Sequence, residues 1–213
     1  MSLLFPPFSW PAVIIGALIG IYWLKVMQLV AKTKRTVGRA ANFVPPEPLG
    51  RLIRIVWIPV VVLWILLPLL TPFIAGLPFF LAPIPFPGST ILAWIAVIVA
   101  LVAFAITWVC WIKMGTSWRM GIDPNEKTQL VFNGPYAWVR HPIYGLSQVL
   151  MLCALAALPS PFMLIIAILH LVFMQWEVRR EEKYLAQLHG SAYANYMQQV
   201  GRFVPRLSAL KWK

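Results

Sequence analysis

The charges in this chain are confined to alternate gaps between its apolar runs. Lys32, Lys34, Arg35, Arg39, Arg51 and Arg54 lie between the first and second runs, whereas the next gap, Ala75 to Ser89, carries no charge. Lys113, Arg119, Lys127 and Arg140 follow the third run, and the break at Pro159-Ser160-Pro161 is again uncharged. Arg179, Arg180, Lys183, Arg202, Arg206, Lys211 and Lys213 follow the last run. The acids Glu47, Asp123, Glu126, Glu177, Glu181 and Glu182 fall in the same charged gaps. Strict alternation of this kind is the signature of a polytopic membrane protein, with its basic gaps on the cytoplasmic side.

Hydropathy predicts the spans. A bilayer core about 30 Å thick needs about 20 apolar residues per helix. Trp10–Ala31, Leu52–Ile74 and Thr90–Ile112 meet that length, with Lys25 able to snorkel from the first. Pro59 and Pro68 are expected to kink the second. Ile143–Trp176 reads as two shorter helices in a tight hairpin, each about 17 residues and at the short end for a span. Five spans alternate correctly with the N-terminus outside and the C-terminus inside. The expected fold is therefore all-α: about five transmembrane helices, the last two a hairpin, and a cytosolic C-terminal helical segment. Residues 1–112 form the N-terminal helices, and residues 113–213 form a separate core. Gly16 and Gly20 suggest a helix-packing face in the first span. The Pro-rich loop from Leu77 to Gly88 is expected to lack regular structure.

Composition agrees. The chain is 61% hydrophobic and only 11% charged over 213 residues, with a mean hydropathy of +0.78. Its net charge of +12 is accounted for by the basic inner gaps, so nucleic acid is not an expected partner. Cys110 and Cys153 have no metal or disulfide spacing. The first ten residues lack the features of a signal peptide. No Walker loop, dinucleotide fingerprint or nucleophile elbow occurs, and the three scattered histidines match no metal motif. His170, inside an apolar run, reads as a packed or interhelical residue, and His189 as a helix-end residue.

The polar chemistry concentrates in two inner segments. In Asn133-Gly-Pro-Tyr-Ala-Trp-Val-Arg-His-Pro-Ile-Tyr144, Gly134-Pro135 and His141-Pro142 each break helical geometry. Irregular backbone at membrane depth needs protein or a wet cavity to satisfy it. A loop with boundary aromatics and a snorkelling Arg140 is the purely structural account. Arg179-Arg-Glu-Glu-Lys183 places paired carboxylates where they can hold a cation or a ribose diol, or simply form a solvated charged turn. Arg202-Phe-Val-Pro-Arg206 can clamp a carboxylate or phosphate, or anchor anionic lipid. Beyond Glu177 the last span continues as an amphipathic helix, which Gly190 ends, and Ser191 caps a short further helix. Ser117–Asp123 reads either as a gate or as an interfacial anchor.

Together, Gly134-Pro-Tyr-x-x-Val-Arg-His-Pro-x-Tyr144, Glu181-Glu-x-x-Leu185, Gly190-x-x-Tyr193-x-x-Tyr196 and Arg202-Phe-Val-Pro205 resemble the isoprenylcysteine carboxyl methyltransferase family, to which phospholipid N-methyltransferases are related. The resemblance spans roughly Lys127 to Pro205, about a third of the chain. It implies an S-adenosylmethionine-dependent methyltransferase, releasing S-adenosylhomocysteine, with its cofactor pocket facing the cytosol. Carried over by motif, the cofactor would be held by His141 and Tyr144, with Tyr136, Arg140 and Pro142. The backbone near Leu130, Val131 and Gly134 and the carboxylates of Glu181 or Glu182 would complete the pocket. Arg202 would orient the acceptor or the cofactor carboxylate, and Glu181 or Glu182 would serve as base for an amine. Gln199 precedes Val200 where the eukaryotic prenylcysteine enzymes have a basic residue. Ser117–Asp123 resembles a bacterial branch, which implies a bacterial inner membrane.

The acceptor stays open at this point among a prenylated cysteine, a phospholipid amine, a thiol and another lipid or small molecule. So does oligomeric state. A nicotinamide-dependent membrane reductase and a non-catalytic module binding membrane lipid are the competing readings.

Overall fold

A computed structural model describes residues 9–38, 43–45, 47–73, 79–84, 86–122 and 129–206. Arg39, Asp123, Glu126, Lys127, Lys211 and Lys213, together with residues 1–8 and 74–78 and Pro85, lie outside the described residues. The described chain is helical: α1 Ser9–Val37, α2 Pro48–Leu70, α3 Ser89–Met114, α4 Pro142–Ala157, α5 Pro161–His189 and α6 Ser191–Gln199, with short 3-10 turns at Thr71–Phe73, Gly115–Ser117 and Gly134–Ala137. A single parallel bridge, Val139 with Gly201, is the extended pairing among the described residues.

Helices α1, α2, α3 and α5 are long and apolar enough to cross a membrane, and α4 is a shorter apolar helix. At 16 residues, α4 rises about 24 Å, less than a full hydrocarbon core. Ile91, Ile98 and Ile112 of α3 are 64–68% exposed. Side chains of this kind suit lipid and would be costly in water. The protein is a polytopic all-α membrane protein.

The helices outrun the spans expected from hydropathy at both ends of the chain. α1 continues six residues past Ala31, through Lys32, Lys34 and Arg35. α5 runs through the Arg179–Lys183 charges without a break, because no Gly or Pro interrupts it and its charged residues are good helix formers. Gly190, at φ 53°, does end it. Ser191 corrects the sequence reading: it is the first residue of α6, the N-cap is Gly190, and no side chain caps the helix.

Two compact units divide the chain. One comprises residues 1–26, 55–104 and 147–173; the other comprises residues 27–54, 105–146 and 174–213. In the first, Gly16 brings α1 onto α2, where an added Cβ would stand 2.9 Å from Leu69 Cγ. The described residues of the Pro-rich loop lack helix but are not free: Ile84 N donates to Pro159 O (2.8 Å) and Phe162 N to Phe80 O (2.9 Å). His170 is fully buried. It lies 3.1 Å from Ser147 Oγ through Nε2 and packs against the rings of Trp57 and Trp64, so it is the packed, interhelical histidine the sequence suggests.

The second unit holds the polar inner segments. Tyr193, Tyr196 and Val200 of α6 and its exit form a buried cluster with Leu130, Leu185, Ala186 and Met197. That cluster seats α6 on the polar end of α5.

Candidate functional site

The inner site is organised around one carboxylate. Glu182, on α5, is 6% exposed. Arg140 donates to its Oε1 from Nε (3.1 Å) and Nη2 (2.7 Å). Arg202 donates from Nε to both oxygens (3.1 Å each) and from Nη2 to Oε2 (2.5 Å). Buried charge of this kind is stable only when paired and hydrogen-bonded on every side. Arg140 meets that requirement with its remaining nitrogen, since Nη1 donates to Met197 O (3.1 Å) and to Val200 O. Those carbonyls close the end of α6, where a helix leaves acceptors unsatisfied. One arginine therefore ties the turn before α4, the polar part of α5 and the end of α6 into one body.

Backbone pairing fixes the same junction. Arg140 N donates to Gly201 O (2.8 Å) and His141 N to Arg202 O (3.0 Å). Gly201 is required, because an added Cβ would collide with the Val204 carbonyl. The Tyr196 hydroxyl donates to Tyr136 O at 2.6 Å, and its ring meets Phe132 edge-on. This holds the 3-10 turn at Gly134–Ala137 against α6.

Beside the clamp lies a second, less saturated corner. The His141 ring, 6% exposed, stands between the two carboxylates, with Nε2 3.4 Å from Glu182 Oε1 and Nδ1 3.9 Å from Glu181 Oε2. Tyr144, one turn on in α4, packs against His141 with ring centroids 5.7 Å apart and lies close to the Glu181 carboxylate. Glu181 Oε2 is buried with no hydrogen-bond partner among the described residues. Glu177 and Arg54 extend this corner. Arg54 Nη2 donates to Met120 O (3.2 Å), and Arg180 pairs with Glu177 (3.1 Å) and Glu47.

Protonation follows from burial. Burial pushes the Tyr196 phenol up to about 12, against a smaller opposing effect of Arg140. Burial, followed by the fields of Glu182 and Glu181, raises Tyr193 further. The hydrogen bond from Arg202 to Glu182 holds the Arg202 guanidinium above its ordinary value. Both phenols are therefore neutral donors at physiological pH, and Arg202 stays charged.

Residues 94–187, a little under half of the chain, match the isoprenylcysteine carboxyl methyltransferase (ICMT) family. Over this stretch the chain is ICMT-like. No curated protein matches it. In general class, the protein is a membrane methyltransferase.

The ICMT-like stretch includes Arg140, His141, Tyr144, Glu181 and Glu182 and stops before Tyr193 and Arg202. The structure gathers most of the residues expected from the sequence. Pro142 and Tyr144 open α4, Arg140 and His141 precede it, and Glu181 and Glu182 face His141 from α5. Glu182 and Arg140 are spent on the clamp, whereas Arg202 keeps Nη1 without a partner among the described residues. Leu130 joins the α6 cluster, and Gly134 sits at φ 61° against the stem of Lys113. Tyr136 is buried beneath Tyr196, which its carbonyl binds. Val131, half-buried, makes no described polar contact in the clamp. Arg54, Glu177 and Tyr193 were not read as site residues from the sequence. Arg54 lies far from the motif in sequence and only the fold brings it near, whereas Glu177 lies one turn before Glu181 on α5.

Proposed function

We propose that the protein transfers a methyl group from S-adenosylmethionine to a lipophilic or small acceptor and releases S-adenosylhomocysteine. The acceptor that the family name points to is the carboxylate of a prenylated cysteine. The observation that carries this reading is the corner of His141, Tyr144 and Glu181 beside a saturated clamp, within the ICMT-like stretch. Glu181 Oε2, buried with no hydrogen-bond partner among the described residues, fits a polar ligand better than an apolar one. His141, Tyr144 and Glu181 would hold the cofactor, with the backbone near Gly134 at its edge.

When bound, the cofactor supplies an electrophilic methyl group on a sulfonium. The chain's own part is alignment and the exclusion of water, since displacement at carbon gains most from positioned reactants. The Arg140–Glu182–Arg202 clamp keeps α4, α5 and α6 in fixed register around the corner. Nη1 of Arg202 is free to orient an anionic acceptor. For an amine acceptor, Glu181 is the group placed to take the proton. The basic gaps support a site at the cytoplasmic face, with the N-terminus outside. A membrane-dissolved acceptor reaches it from the lipid.

The test is methyl transfer itself. Protein reconstituted in membranes and given labelled S-adenosylmethionine is expected to label a lipid-extractable product, whose identification names the acceptor. A thermal shift with NADPH and none with S-adenosylhomocysteine would contradict the reading and favour a reductase.

A further inference from the structure

Glu177, Glu181 and Glu182 follow one another on the polar end of α5, and each meets different partners. Glu182 is held by Arg140 and Arg202. Glu177 is held by Arg180, whose Nη1 donates to Oε2 (3.1 Å). Arg180 is itself fixed, since it also pairs with Glu47 and lies 4.4 Å over the Trp176 ring. The other oxygen of Glu177 faces a backbone. Gly121 sits at φ 89°, and a Cβ there would collide with Glu177 Oε1 and stand 3.7 Å from Arg54 Nη2. The same Arg54 nitrogen donates to Met120 O (3.2 Å). Helices α2 and α5 thus bring opposite charges to one stretch of chain, Met120-Gly121. Trp118, 5% exposed, buries the start of that segment.

Position along α5 decides what this contact does. A residue four places earlier on a helix lies one turn back on the same face, about 6 Å along the axis. Glu177 is therefore beside Glu181, on the side toward the apolar part of α5. Glu181 in turn stands 3.9 Å from His141 Nδ1, and the His141 ring packs on Tyr144. A segment seated on Glu177 lines that corner on its apolar side. Residues 118–122 contain no helix, so their position depends on the side chains that hold them. Resting on the methyl-transfer reading above, we propose that Arg54 is a positioning residue for that reaction: bonded to Met120 O and set against Glu177, it holds residues 118–122 as the wall between the His141–Tyr144–Glu181 corner and the bilayer. Arg54 touches neither reactant. It acts through the backbone it holds, which keeps the corner closed around the S-adenosyl group.

The experiment measures dissociation of S-adenosylhomocysteine from the purified full chain in lipid nanodiscs, with amide hydrogen exchange on the same samples. Arg54→Gln is expected to lower protection at residues 118–122, to leave the amides of Arg140 and His141 protected, and to release S-adenosylhomocysteine several-fold faster. Arg54→Lys keeps the charge and a donor, and is expected to recover most of both. Gly121→Ala reaches the wall from the other side with Arg54 intact. Its Cβ displaces the Glu177 carboxylate, and the positive φ disfavours a side chain there. It is expected to match Arg54→Gln, and it serves if that variant does not fold. Unchanged protection at residues 118–122, or an unchanged dissociation rate despite its loss, would overturn the proposal. So would an equal loss of protection at residues 118–122 and at Arg140 and His141, which would make Arg54 merely structural. Failure of the wild type to bind S-adenosylhomocysteine at all would instead defeat the methyl-transfer reading.

Discussion

Arg140 and Glu182 lie 42 residues apart in the chain and meet through paired hydrogen bonds, at 3.1 Å from Nε and 2.7 Å from Nη2. Their side chains are only 7% and 8% exposed. The pair is the centre from which the inner unit is built, and what the clamp leaves unsatisfied around it defines the candidate site.

Removing the carboxylate leaves two guanidinium groups without their anion. Breaking a buried, hydrogen-bonded pair from one side costs about 3–5 kcal/mol. The partial exposure of Arg202 puts Glu182→Gln near the lower end. Thermal unfolding in detergent is expected to show a clear loss of stability, larger than that of Glu181→Gln.

Tyr196→Phe isolates a single contact. It removes the 2.6 Å hydrogen bond to Tyr136 O and leaves that carbonyl to find another partner. A loss of about 1 kcal/mol is expected, measured by chemical unfolding, with the 3-10 turn at Gly134–Ala137 losing hydrogen-exchange protection before the rest of the unit.

Alkaline pH tests the burial of the same phenols. A tyrosine whose folded pKa is raised binds its proton more tightly folded than unfolded. Its contribution is complete below pH 10, the ordinary value, and is lost as pH climbs toward the folded value. For Tyr196 that window runs from about 10 to about 12. Stability of the wild type should fall through this window, and Tyr196→Phe should flatten the fall. A wild type whose stability is level across it would contradict the burial described.

Gly16→Ala tests the membrane packing of the other unit. Its Cβ would stand 2.9 Å from Leu69 Cγ and 3.0 Å from Leu69 N. Overpacking of this kind costs typically about 1–3 kcal/mol, read as a lowered unfolding temperature with unchanged cofactor binding.

The helices and the two polar segments were legible in the sequence because apolar run length and the sidedness of charge act locally. The motif around His141 was legible because turn makers and polar groups crowd within a dozen residues. Ser191 was misplaced because a serine after a glycine looks like a cap, whereas Gly190 itself takes a positive φ and the capping position. The division of labour between Glu181 and Glu182 was not legible. Neighbours on one helix differ in what they meet, and only the fold shows that Arg140 and Arg202 both converge on Glu182. Arg54, far upstream on α2, and Tyr193, unpaired on α6, needed tertiary structure for the same reason.

The most direct measurement is the affinity of purified protein for S-adenosylhomocysteine, in the wild type and in the His141→Ala, Glu181→Ala double variant. The arginine hydrogen bonds that hold Glu182 remain without either side chain, so the variant should keep its fold. Losing contacts from both is expected to weaken binding by roughly a hundredfold. Full affinity in a folded double variant would contradict the assignment of the cofactor to this corner.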